Sequence, residues 1–590
     1  MEKRVLLAVV LSFVVLYAFQ AIYPPAKPQP TKPSSAAQAP AAAPSSNPSG
    51  AGAPAAPTAS AAMQGTAPVP AAQAPATPTA LVADSAERDV VVENQSVHAV
   101  FTTRGGALKS WRLKKYQDAS REPLELVPHN VPADAPRPFT LQVPDAPASA
   151  TLAKALFKPS ADHVQVTSGS ASLAFDYQDA SGLTAHKEFV FSDPSPYVIE
   201  FSAAVSQGGK PVVPTVLFGP GIGSGIVTST RTYNPPPQPI FYRDGSVSRI
   251  KENKVAQSPV QEGLFGFAGV DDHYFIAAAL PAGRPVHLEY RTIDVPIPGA
   301  ADANAAAHFI DWSIRYNEAP SKARFFLGPK DFDVLAGVER DLVRSIDFGI
   351  FAWLVVPLLR ALKWVNGYVG NYGWSIITLT ILINVVMFPL RHKSVVSMRK
   401  MQDIQPEVKA IQDRYANLKM TDPAKQKMNT ELMSLYRERG VNPASGCVPM
   451  LLTFPVLFAF YSMLSVAIEL RGAPFVGWIH DLSVHDPLFI TPVLMGITQF
   501  VQTKMTPSTA DPMQQKMMMF MPLILMSFFI WAPSGLVLYW TTSNLWAIGQ
   551  QALTNKLIGP PKVRTVRPPA ERRVKSAGGG RTDQAGKERK

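Results

Sequence analysis

Four uncharged stretches in the C-terminal half constrain this chain more than any other feature: residues 372–390, 446–468, 487–503 and 517–555. The last is 39 residues long, roughly 58 Å as a helix at about 1.5 Å per residue and twice the hydrocarbon thickness of a bilayer. Pro533-Ser534-Gly535 falls inside it as a turn signal, so it reads as a hairpin of two spans. A further uncharged run, residues 5–23, follows Lys3 and Arg4. It is open to reading as a secretory signal, but no small-x-small cleavage site follows closely, and its length suits an uncleaved anchor. The expected total is six transmembrane helices.

Charge orients them. Residues 391–445 carry eleven Lys and Arg, whereas residues 469–486 carry only Arg471. The tail 556–590 carries eleven more against three acids. By the positive-inside rule both termini and the 391–445 loop face the cytoplasm, so everything between the first two spans is extracytoplasmic. The formal charge of +12 therefore suits a membrane's inner face better than a soluble nucleic-acid reader. One cysteine, Cys447, excludes an intrachain disulfide framework and a multi-cysteine zinc site.

The expected organisation is a multi-domain membrane protein. Residues 1–23 form the anchor. Residues 24–80, with fourteen prolines between 24 and 80, form a disordered tether. Residues 81–335 alternate apolar and polar positions in short runs broken by turn residues, which predicts an all-β sandwich. Residues 336–370 mix charges with Trp353 and Trp364 and predict an amphipathic helix in the membrane interface. Residues 371–555 form a five-span α-helical core. It carries a cytoplasmic helical hairpin at 393–440, where Met398, Met401, Ile404, Val408, Ile411, Tyr415 and Leu418 mark one face of a helix. Thr421-Asp422-Pro423 starts the hairpin's second helix and Gly440 stops it. Residues 556–590 are a basic cytoplasmic tail.

Asn384, with Thr378 and Thr380 before it, sits near the middle of the span at 372–390. An amide in hydrocarbon is costly unless it finds a partner or water. It either bonds a neighbouring helix, as polar residues in membrane bundles do, or lines a wet cavity. Arg391 lies seven residues on, about 700° around the helix and roughly 10 Å further along it, on nearly the same face. Its side chain is long enough to snorkel.

Several stretches resemble a known family. "NPASGCVPMLLTFPVLFAFYSML", "IELRGAPFVGWIHDLSVHDP", "GITQFVQTKMTPSTADPMQQKMMMFMP" and "PSGLVLYWTTSNLWAIGQQ" resemble the spans and outer loop of the YidC-type bacterial membrane protein insertases. "TTRGG" at 102–106 and "DDHYF" at 271–275 are similar to the periplasmic β domain of the Gram-negative form. The resemblance is specific from about 340 to 555, looser through the β domain and absent from the tether. It implies an inner-membrane insertase and chaperone that moves hydrophobic segments of nascent proteins into the bilayer, alone or with the Sec translocon. It also implies a polar groove open to cytoplasm and lipid, no nucleotide hydrolysis, and no cofactor. Asn384 falls where most members carry an intramembrane arginine, a departure from the pattern. With that groove in mind, the candidate lining is Thr380, Asn384, Arg391, Gln499, Gln502, Thr503, Tyr539, Trp540, Thr541 and Asn544.

Methionine is concentrated at Met513, Met517, Met518, Met519, Met521 and Met526. Flexible thioethers suit varied apolar clients, and ordinary packing uses them equally well. The basic tail, with the hairpin, is a candidate ribosome contact through phosphates, or it only fixes topology and touches anionic lipid. Catalysis has no support: the histidines are scattered, and no HExxH, GxSxG or P-loop pattern occurs. His480-Asp481 and His485-Asp486 fit a solvated loop better than a metal site. A small-solute transporter is the competing class, but it calls for inverted repeats with broken helices or paired intramembrane charges, and the sequence has neither. An envelope scaffold working through its β domain is a third reading.

Overall fold

The computed structural model describes residues 79–558 except positions 119, 130, 132–134, 223–235, 282, 297–305, 319–321, 416–422, 442–447 and 507–511. The expected anchor 1–23, all but the end of the tether, the Thr421-Asp422 cap, Cys447 and nearly all of the basic tail lie outside the described residues.

From Ala80 to Pro329 the chain forms strands, as the alternation predicts. They build one eleven-stranded and two five-stranded sheets, antiparallel throughout except for the pairing of Asp89–Glu93 with His163–Gln165. The β-sandwich core is aromatic. Phe139 packs edge-on against Phe189 at 5.2 Å and Phe325 at 5.0 Å, linking the sheets through their inward-facing positions. Helix α1 (Ala146–Lys154) is capped by the Asp145 side chain.

The "TTRGG" stretch has a structural purpose. Gly105 and Gly106 adopt φ of 70° and 53°, and a Cβ on Gly105 would come within 3.0 Å of the Ala153 carbonyl. Their carbonyls point inward and accept from Lys187 Nζ at 2.6 and 3.2 Å, and the Phe139 carbonyl accepts at 2.8 Å. Lys187 is fully buried among phenylalanines. Burial pushes its ammonium down to about 7.

"DDHYF" joins the sandwich to the helices. Asp271 accepts from Lys330 and Arg249, and Asp272 caps the backbone N–H groups of Tyr274 and Phe275. His273 Nε2 donates to the Ser465 carbonyl at 2.6 Å. After α2 (Phe332–Val338) come two 3₁₀ turns and α3 (Ala352–Val369), where a single interfacial helix is expected. Trp353, Trp364 and Tyr368 of α3 are exposed. Lys363 pairs with Asp333 at 2.6 Å and Glu469 at 3.0 Å.

Seven α-helices follow among the described residues: α4 (Tyr372–Asp403), α5 (Gln405–Arg414), α6 (Pro423–Glu438), α7 (Val448–Val466), α8 (Ile490–Met505), α9 (Pro512–Phe529) and α10 (Ser534–Ile558). By length and composition, Gly349–Val369 and Tyr372–Asp403 are the described helical segments able to cross a membrane. Phe454–Val466 and Met517–Phe529 are apolar but shorter. The first of these segments contains α3, which the sequence places in the interface.

Helix α4 runs 32 residues, straight through the expected start of the hairpin. Nothing breaks it before Ile404, where Pro406 opens α5. The single helix expected around residues 398–418 is thus divided. Helices α5 and α6 nevertheless pack together through Val408, Ile411 and Leu435. Arg439, just past α6, pairs with Glu407 in the first turn of α5, and Arg414 at the end of α5 pairs with Glu431 midway along α6.

Candidate functional site

Helix α4 has two unlike faces. Ile381, Leu382, Val385 and Val386 are exposed, Val386 by 76%. On the other face Ile376, Thr380 and Asn384 are buried. Steps of four residues keep these three on one stripe, and Arg391 falls in line with them. The stripe is hydrogen-bonded from end to end. Thr380 Oγ1 donates to the Ile376 carbonyl at 2.6 Å, Asn384 Nδ2 to the Thr380 carbonyl at 2.8 Å, and Arg391 Nη1 to Asn384 Oδ1 at 2.8 Å. Asn384 therefore meets its own helix and the guanidinium two turns along the same stripe, rather than a neighbouring helix. The arrangement reconciles the amide with the span, because both its polar ends are satisfied.

Tyr539 of α10 lies buried near Arg391. Its ring stacks on Phe460 of α7 at 4.5 Å and 9°. Towards the β domain the bundle is apolar and closed: Leu379, Met463, Leu464, Leu470, Leu482 and Leu536 are buried in one cluster with Ile376. Gly373 sits so close to Phe475 that a Cβ would fall 2.1 Å from the ring. Ser534 Oγ bonds the Val484 carbonyl across the loop. The polar stripe thus begins under an apolar seal and runs away from the β domain.

The remaining candidates lie elsewhere. Trp540 Nε1 donates to Gln499 Oε1 at 3.0 Å, and Asn544 Nδ2 reaches Thr498 Oγ1 at 3.3 Å, both across the contact between α8 and α10. Thr503 and Thr541 bond carbonyls four residues back on their own helices. Gln502 is half-buried one turn from the end of α8. The structure groups Thr380, Asn384, Arg391 and Tyr539 and leaves Gln499, Trp540 and Asn544 as cross-links between helices. Spacing along α4 signals the first group. Only the packing of α10 separates Tyr539 from Trp540, its sequence neighbour.

On α9, Met517, Met518, Met519 and Met521 are exposed, whereas Met526 packs against Gly496. In the loop before α8, Asp486 accepts from the N–H groups of Leu488 and Thr491 and from Trp478, and Asp481 accepts from Ser483. Both acids are engaged in shaping the loop. The sequence reading missed His273 and Lys363. The "DDHYF" stretch is the one signal that pointed to the former, and nothing in the spacing of charges singled out the latter.

Two family models match the chain: the 60Kd inner membrane protein over residues 364–560 and the YidC periplasmic domain over residues 89–361. The membrane protein insertase YidC of Geobacter metallireducens is 36% identical over 571 residues, covering 95% of this chain and 99% of the relative. That of Pelobacter propionicus is 36% identical, covering 95% and 100%. That of Cupriavidus necator is 34% identical, covering 84% and 87%. A crystal structure of an active YidC insertase with its first transmembrane domain resolved is 17% identical and covers 81% of this chain and 95% of that one, with a TM-score of 0.32. That global likeness is too weak to add to the sequence relationship.

Proposed function

The chain belongs to the YidC family of membrane protein insertases, and we propose that it passes hydrophobic segments of nascent proteins into the inner membrane along the Thr380–Asn384–Arg391 stripe. The carrying observation is that this continuous polar stripe lies on the buried face of a helix whose other faces expose apolar side chains, beneath an apolar seal. A polar flank of a client meets donors and water at Arg391 while its apolar segment slides out to lipid, which lowers the cost of carrying polar groups into hydrocarbon. The seal keeps the passage shut on the side of the β domain, the periplasmic domain of this inner-membrane protein. Here a displaced arginine does the work of the family's usual one: Arg391 delivers its guanidinium to Asn384 from two turns along the helix.

In this reading the chain crosses the membrane six times with both termini inside. The α5–α6 hairpin receives nascent chains in the cytoplasm. The basic tail and hairpin contact the ribosome, and the Sec translocon is a partner for larger clients. Lysine and arginine placement supports the orientation. The test is photocrosslinking from stalled single-span nascent chains to a photoreactive residue at Tyr539 or at Val386. Adducts at Tyr539 and few at Val386 are expected. Equal labelling of both would sink the assignment of the polar face.

A further inference from the structure

On the flank of α4 beside the Asn384 stripe a groove runs between α4 and α10 and encloses about 740 Å³, within the range of small-ligand sites. Ile381, Val385 and Phe388 form one wall, and Leu545 and Leu553 of α10 the other. Leu538 and Leu553 bound it along α10, about 22 Å apart at about 1.5 Å per residue. The groove is not uniformly apolar. Trp546 and Gln550 also line it, and both Trp546 Nε1 and Gln550 Nε2 are buried with no hydrogen-bond partner among the described residues. Gln550 is 7% exposed. Two orphan donors in hydrocarbon are costly, and each marks a place for an acceptor.

Beyond the groove the same α4 face turns cationic. His392 stacks on Phe388 and reaches Thr554 of α10, and Arg399 bonds Asn555 while its Nε stays unpartnered among the described residues. Lys393, Lys400 and Lys556 lie nearby in sequence, and no acid occurs on α4 before Asp403 or anywhere on α10. A basic mouth between transmembrane helices on the cytoplasmic side is what anionic headgroups recognise.

We propose that this groove is a binding site for one anionic phospholipid of the cytoplasmic leaflet. An acyl chain lies along Ile381, Val385 and Leu545. The glycerol-ester oxygens accept from Trp546 and Gln550 after a small turn of the two side chains. The phosphate lies at the mouth beside His392 and Arg399. The leaflet rests on the orientation proposed above, but the lipid readout is independent of insertion. Loss of insertion with lipid retained would count against the client stripe alone.

The experiment reconstitutes the full chain in vesicles of phosphatidylglycerol and phosphatidylethanolamine, extracts it in mild detergent and reads retained lipid by native mass spectrometry. Wild type should keep a phospholipid enriched in the anionic species. Gly549→Phe should lose it, because Gly549 lines the groove and a Cβ there meets nothing within 4 Å, so a larger side chain can take up the space. Arg399→Gln should keep a lipid but lose the preference for the anion. In native membranes, a photoreactive residue at Leu545 should label lipid. Retention unchanged by Gly549→Phe, no charge preference in wild type, or labelling of another protein's transmembrane helix at Leu545 would each overturn the proposal. An unaltered thermal transition of Gly549→Phe separates loss of lipid from loss of fold.

Discussion

Replacing Asn384 by leucine deletes the acceptor of the Arg391 guanidinium and nothing else of comparable strength. The Thr380 carbonyl that Asn384 Nδ2 approaches lies within α4, so losing that donor costs little. The bond lost at Oδ1 is charge-assisted, 2.8 Å long and part-buried, a type worth about 1.5–3 kcal/mol. If the whole of that energy positions Arg391 during insertion, the rate falls by roughly 10- to 150-fold at about 1.4 kcal/mol per decade. Arg391→Ala should be similarly harmful. The double variant should be worse than either single change but far short of their product, with a coupling of about 1–3 kcal/mol in the cycle. The exchange Asn384→Arg with Arg391→Asn keeps an amide and a guanidinium on one stripe and should recover most activity. The assay is insertion of a short single-span client by purified protein in liposomes, at matched protein levels. Full activity of Asn384→Leu with Arg391→Ala, or strictly additive effects, would refute the idea that the pair supplies the polarity of the groove.

Lys187 ties stability to pH. Its folded-state ammonium titrates at about 7 against about 10.4 in an unfolded chain, so the unfolded state binds the extra proton between those values. Stability should therefore be flat below pH 7 and rise above it by up to about 1.4 kcal/mol per unit through pH 9. Denaturant unfolding of Lys187→Met at several pH values should lack that slope and lie several kcal/mol lower overall, because three carbonyls lose their donor; parallel slopes would show that Lys187 does not titrate there. Cysteines at Ser195 and Gly472 should react with an impermeant reagent from outside intact cells stripped of their outer membrane, and those at Ala416 and Ala577 should not. Labelling of Ala416 would reverse the topology. Gly373→Ala should lower the thermal stability of the bundle by about 1–3 kcal/mol through overpacking on Phe475, with Phe475→Leu restoring part of it, and an unchanged transition would show that the ring yields freely.

The sequence by itself determined where apolar runs meet charge, because the partition of residues between water and hydrocarbon is a local property of composition. The stretches at 372–390 and 517–555, the Pro533 turn and the strand alternation from residue 81 follow from that alone. So did the alignment of Asn384 with Arg391, since helix periodicity places them on one stripe before any neighbour is known. Where the α4 helix would stop was legible only in part. The apolar face around residues 398–418 was visible, yet the span's own helix ran on through Pro389 to Asp403, and the Pro406 break divided that face. Tertiary packing alone decided which polar side chains share a site. Helix periodicity separates the neighbours Tyr539 and Trp540 by about 100°, but only the packing of α8 against α10 gives Trp540 its partner Gln499, 41 residues away. It also decided that the Gly105-Gly106 carbonyls and Lys187, 82 residues apart, complete one another in the sandwich core. Contacts between distant segments are set by how whole sheets and helices bury their faces together, and no local pattern encodes them.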